Sequence, residues 1–154
     1  MPRFFVSLLC LWIVLPLPVQ AAEDIATYRI NGSDYSTARD ALFEVIEAEG
    51  LVVGVVLPFS QMLQRTAGEG ALMPFDKAEI MQFCSSGLAW QMVQEDAEQL
   101  ALCPLSIALY SNVGGAEVVL AYRLPGGESP GRRRANELLR RIATRTVELA
   151  RLRW

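Results

Sequence analysis

A chain of 154 residues, with a formal net charge of −3 and no histidine, excludes a good deal of chemistry at once. Without an imidazole there is no Ser-His-Asp triad, no Cys-His nucleophile pair, no histidine acid–base step and no histidine metal ligand. The length suits one core rather than two.

The chain opens Met1-Pro2-Arg3, continues without charge from Phe4 to Leu17 and reaches Val19-Gln20-Ala21. One basic residue, an apolar run and small residues spaced for a peptidase predict a secretory signal peptide over residues 1–21. The run is too short, and too broken by Pro16 and Pro18, for the roughly 20 residues of a membrane span. Cleavage after Ala21 delivers residues 22–154 as a single domain to the periplasm or the medium. Cys10 leaves with the signal, and Cys84 and Cys103 stay.

In the mature chain, Ile25 to Ile30 predicts a short strand and Asn31-Gly32-Ser33-Asp34 a turn. Ser36 is placed to cap a helix reaching Glu49, whose Ala38, Ala41, Leu42, Val45 and Ile46 recur at three- and four-residue steps; Gly50 ends it. Leu51 to Leu57, apolar and rich in valine, predicts a strand covered strongly on at least one face. A short helix is expected over Ser60 to Ala67, then a glycine-containing loop and a third strand over Glu79 to Cys84. Ser85 or Ser86 caps the next helix, to about Ala97, with Leu88, Ala89, Met92 and Val93 on one side. Leu105 to Tyr110 and Val118 to Arg123 form a hairpin over a glycine turn, and after the hinge Pro125 to Gly131 one basic helix runs over about 132–152. The order β-α-β-(α)-β-α-β-β-α predicts an α+β fold, a mainly antiparallel sheet with helices on one face.

Three segments in this order, "FCSSGLAWQM", "LCPLSIALY" and "LAYRLPG", resemble the domain of unknown function 302 family, particularly its exported branch. The resemblance covers roughly Ala38 to Gly127 and rests on Phe83, Cys84, Ser85, Cys103, Pro104, Ile107, Ala108, Tyr110, Tyr122, Arg123 and Pro125. It implies a compact domain akin to the TATA-binding-protein-like group, with a curved sheet gripping a helix. Gln82 stands where the family pattern expects an acidic residue, and Leu105 where it expects an aromatic one.

Three readings compete for Cys84. A disulfide with Cys103 suits an oxidising compartment and would stabilise the domain by roughly 3 kcal/mol. It requires Cα atoms within about 7 Å, although a 12-residue helix carries the chain roughly 18 Å away. A reactive thiol suits the start of a helix, where free N–H groups favour the thiolate. A buried, inert thiol is the third. Two thiolates without histidine leave zinc dependent on carboxylates or a second chain, so no metal and no cofactor is expected.

Residues 132–154 contain eight arginines and two glutamates, whereas 22–131 contain five basic and fifteen acidic residues. Arg134, Arg141 and Arg145 lie opposite the helix's apolar stripe. They form either a solvated face balanced by the domain's own carboxylates or a weak contact with an anionic membrane surface or acidic protein. Nucleic acid is not expected, because the mature chain is acidic. Glu44 and Glu47 stand one helical turn apart and are read as solvated charge.

The function expected is a non-catalytic accessory module, binding a small molecule or protein between sheet and helix. Tyr110, Tyr122 and Arg123 are its candidate lining residues, since aromatic rings with one fixed cation suit a partly apolar anion. A thiol-dependent redox or sulfur-transfer enzyme centred on Cys84, with Cys103 resolving, is the alternative. A structural subunit, homodimeric through an exposed strand, is the third reading.

Overall fold

The computed structural model describes residues 25–68 and 70–153; the expected signal peptide lies outside them. Five strands form one antiparallel sheet: β1 (Ile25–Asn31), β2 (Val53–Leu57), β3 (Phe75–Phe83), β4 (Leu105–Asn112) and β5 (Glu117–Arg123), in the spatial order β1-β5-β4-β3-β2. The helices are α1 (Tyr35–Ala48), α2 (Phe59–Ala67), α3 (Ser86–Glu95) and α4 (Pro130–Leu152), with a 3-10 turn over Ala97–Leu102. The fold is α+β, as the element order predicts.

Side-chain alternation sets the two faces of the sheet. Ile30, Met81, Phe83, Ile107, Leu109, Val118 and Leu120 point to one side and are buried under Leu42 and Ile46 of α1, Leu88 and Met92 of α3, and Leu139 and Ile142 of α4. α1 must cross that side completely, because β1 and β2 occupy opposite edges. Its buried positions are the five that the periodicity predicts. The other side of the three central strands carries Ile80, Gln82, Ser106, Ala108, Tyr110, Val119 and Ala121.

Local chemistry explains the boundaries. Asp34, rather than Ser36, caps α1: its Oδ1 accepts from Thr37 N at 2.8 Å while Ser36 Oγ donates to the same carboxylate. A carboxylate accepts two donors at once, and the cap stands two residues earlier than expected. Gly50 follows α1 with φ of +74°, a conformation that glycine adopts without steric cost. The expected run Leu51–Leu57 pairs only from Val53, and it is an edge strand with Val55 46% exposed, not a well-covered one. β3 begins at Phe75, four residues before the expected start, because β4 supplies partners as far as Asn112; the register slips once, between Phe75 and Lys77. That extension has no hydrophobic signature, since Asp76 and Lys77 are exposed.

Ser85 caps α3 by accepting from Leu88 N. The helix stops at Glu95, where Asp96 turns extended and caps the 3-10 segment through Glu98 N. This turn, absent from the sequence reading, brings the chain back to β4. Ser129 caps α4, whose Gly131 N–H also donates to both oxygens of Glu95, at 2.9 and 3.0 Å. The long helix therefore starts at Pro130, anchored to the end of α3.

Candidate functional site

The space expected to hold a ligand, between sheet and helices, is filled by the apolar core. A hollow of about 150 Å³ lies on the side of the sheet opposite α1, α3 and α4 instead, bordered by Ile25, Ile80, Ser106, Ala108, Ala121, Tyr122 and Arg123. Its floor is shallow because cross-strand partners Ala108 and Ala121 present only methyl groups. Ile80 and Ile25 flank them, and Ile25 pairs with Arg123 at the end of the β1–β5 ladder. Arg123 is exposed, and among the described residues no carboxylate pairs with its guanidinium.

The three residues expected to line one site are thus divided. Arg123 and Tyr110 share the side opposite α1, α3 and α4, where the Tyr110 ring meets Phe75 edge-on at 5.2 Å between centroids. The Tyr122 ring turns the other way, as strand alternation requires of a neighbour of Arg123. It is 4% exposed and stacks on Tyr28 at 6.1 Å, with the two hydroxyls 3.5 Å apart. Burial, and next the hydrogen bond to Tyr28, pushes the Tyr122 phenol well above its ordinary range. It serves the core.

Cys84 is exposed and Cys103 half-buried, and both are free thiols; the expected bridge is not formed. The chain nevertheless folds back, so that both cysteines lie at the same end of the β3–β4 pair. Cys84 directly follows Phe83, the last partner of Leu105, and Cys103 stands two residues before Leu105. Burial pushes the Cys103 thiol up, and the charge and hydrogen bonding of neighbouring Cys84 add to the shift. Beside Cys84 a groove of about 220 Å³ is lined by Val52, Gly54, Val55, Gln82, Phe83 and Pro104.

The three arginines expected to face solvent or a membrane each have a partner within the domain. Arg145 and Arg141 reach opposite oxygens of Glu49, at 2.8 and 3.3 Å, and Arg134 donates to Gln91. Arg153 pairs with Glu44, which removes Glu44 from any carboxylate pair with Glu47.

One cluster has no counterpart in the sequence reading. Arg39 Nε donates to Glu79 at 2.6 Å while its guanidinium lies over the Phe43 ring, and Lys77 sits over the Tyr35 ring. Tyr35 hydroxyl donates to Leu109 O at 3.2 Å. Burial, and then the Glu79 charge, pushes that phenol up. A cavity of about 190 Å³ adjoins Tyr35, Lys77 and Glu79. Alternating charge along Lys77 and Glu79 was the available signal, but α1 and β3 meet only in the folded chain.

No curated protein matches this sequence. Among solved structures, the chain is similar to an uncharacterised conserved DUF302 protein from Bacillus stearothermophilus, with 16% identity, a TM-score of 0.61, and coverage of 84% of this chain and 97% of that one. At that identity the likeness concerns the fold alone. The family model described as domain of unknown function DUF302 matches residues 26–143, nearly the whole described region, and the chain therefore belongs to the DUF302 family.

Proposed function

We propose that the chain is an exported accessory module that holds a small, mainly apolar anion on the side of its sheet opposite α1, α3 and α4 and does not turn it over. The observation that carries the reading is the hollow over Ala108 and Ala121, walled by Ile25 and Ile80 and bordered by Arg123. Methyl and isoleucine surfaces attract an apolar body, and a guanidinium at the border fixes a carboxylate in two-pronged geometry. Ser106 adds an aliphatic hydroxyl to the lining. A cation and a hydroxyl suffice to orient an anion; moving a proton near neutral pH calls for a base. Ligand pockets ordinarily measure about 300–1,000 Å³, so a hollow this small takes a compact ligand or one end of a longer one. Export rests on the pattern of residues 1–21, and the first residue of the secreted protein should be Ala22.

The test is calorimetric titration of residues 22–154 with aliphatic and aryl carboxylates of increasing size. Arg123→Ala should weaken binding roughly tenfold or more, the contribution of about 1.5–3 kcal/mol from a hydrogen bond to a charged group. Ala121→Leu should abolish binding by filling the floor while leaving the melting temperature unchanged or higher. Absence of binding by the whole series, or affinity indifferent to both substitutions, sinks the reading.

A further inference from the structure

The two thiols and the groove beside them are independent of the carboxylate reading, and they have different accessibilities. Cys84 stands exposed at the junction of β3 and α3, whereas Cys103 is half-buried directly before β4. Groove and hollow occupy the same side of the sheet, with Gln82 lining one and its cross-strand partner Ser106 the other. Val52, directly before the edge strand, and Val55 within it, 77% and 46% exposed, form the outer wall of the groove.

We propose that Cys84 and Cys103 form a dithiol that reduces a disulfide carrying an apolar group, with Cys84 attacking and Cys103 resolving. The apolar group lies on Val52, Val55 and Pro104, which presents one ligand sulfur to Cys84 Sγ. The Cys84 thiolate attacks that sulfur, the ligand S–S bond breaks, and the departing thiolate takes a proton. The product is a mixed disulfide on Cys84. The Cys103 thiolate then attacks Cys84 Sγ, the mixed disulfide breaks, and the second ligand thiol leaves with a proton. The ligand gains two electrons and two protons in all, and the protein ends with one Cys84–Cys103 bridge. The order of attack follows from access. An incoming disulfide meets the exposed sulfur first, and the half-buried sulfur stands beside it. The elevated Cys103 pKa agrees, since a raised thiol is mostly protonated near neutral pH and attacks slowly until Cys84 is within reach.

The experiment uses reduced protein, 4,4′-dithiodipyridine as the apolar disulfide and oxidised glutathione as the polar one, followed by thiol release and intact mass. Wild-type protein should release two thiopyridones and lose the mass of two hydrogens. Cys103→Ser should stop at a single mixed disulfide on Cys84. Cys84→Ser should react roughly tenfold or more slowly, as the burial and protonation of its remaining thiol require. Val52→Asn, a neutral change on an exposed position, should slow the aromatic probe several-fold more than it slows glutathione, which a merely structural cysteine pair would not do. Equal rates for the two cysteine variants, wild-type protein that retains two mixed disulfides, or equal effects of Val52→Asn on both probes would overturn the assignment. None of these outcomes bears on carboxylate binding, so the two readings fail separately.

Discussion

Glu49 decides what the basic helix does. Its carboxylate, with side chain 15% exposed, receives Arg145 at 2.8 Å and Arg141 at 3.3 Å from successive turns of α4, and both arginines are about half exposed. Solvent screens pairs of this kind, so each contributes about 0.5–1 kcal/mol rather than the several of a buried pair. Glu49→Gln keeps the shape and should cost about 1–2 kcal/mol, a fall of roughly 3–8 °C in melting temperature for a domain of this size. The deficit should shrink in about 1 M salt, where the Debye length falls to about 3 Å. A double-mutant cycle with Arg145→Gln isolates the coupling. The same variant tests the surface: wild-type protein should ignore anionic vesicles at low salt, whereas Glu49→Gln, with two guanidiniums released, should co-sediment. An unchanged melting temperature, or salt-sensitive wild-type binding to vesicles that the substitution does not increase, would refute the clamp and favour a membrane-facing helix.

Further outcomes are expected elsewhere. Hydrogen bonds from Ser36 first, and then from Thr37, lower the Asp34 carboxyl from 3.8 to about 2. The folded-state pKa is depressed, so the stability it contributes is complete above the unfolded value and is lost as pH falls from about 4 towards 2; Asp34→Asn should flatten that part of the stability–pH profile. Gly131→Ala would put a Cβ 2.8 Å from Met92 Cγ and 2.9 Å from Glu95 Oε2. Either shift loosens the junction of α3 with α4, and chemical denaturation should register a loss of about 1–2 kcal/mol. Ile142→Ala, at a fully buried position of α4, should cost about 2–5 kcal/mol with an unchanged denaturant slope.

The local code of this chain was legible where one element determines its own chemistry. The period of α1 identified its five buried residues, the pair Ser85-Ser86 marked the start of α3, and the hairpin of β4 and β5 followed from two apolar runs around a glycine turn. These depend on interactions only a few residues apart. The absence of histidine, likewise a matter of sequence alone, limited the chemistry before any fold was known.

Tertiary structure decided what depends on partners distant in the chain. Strand alternation already separated Tyr122 from Arg123, but only the helices on one side of the sheet determine which of them meets solvent and which stacks on Tyr28. The 3-10 turn after Asp96 returns Cys103 to the end of β3, a reversal that no periodicity announces. The arginine stripe became a clamp because α1 crosses the sheet to lay Glu49 beside α4. Periodicity and capping chemistry act over a turn or two of chain, whereas faces, neighbours and charge partners follow from the order in which strands join the sheet.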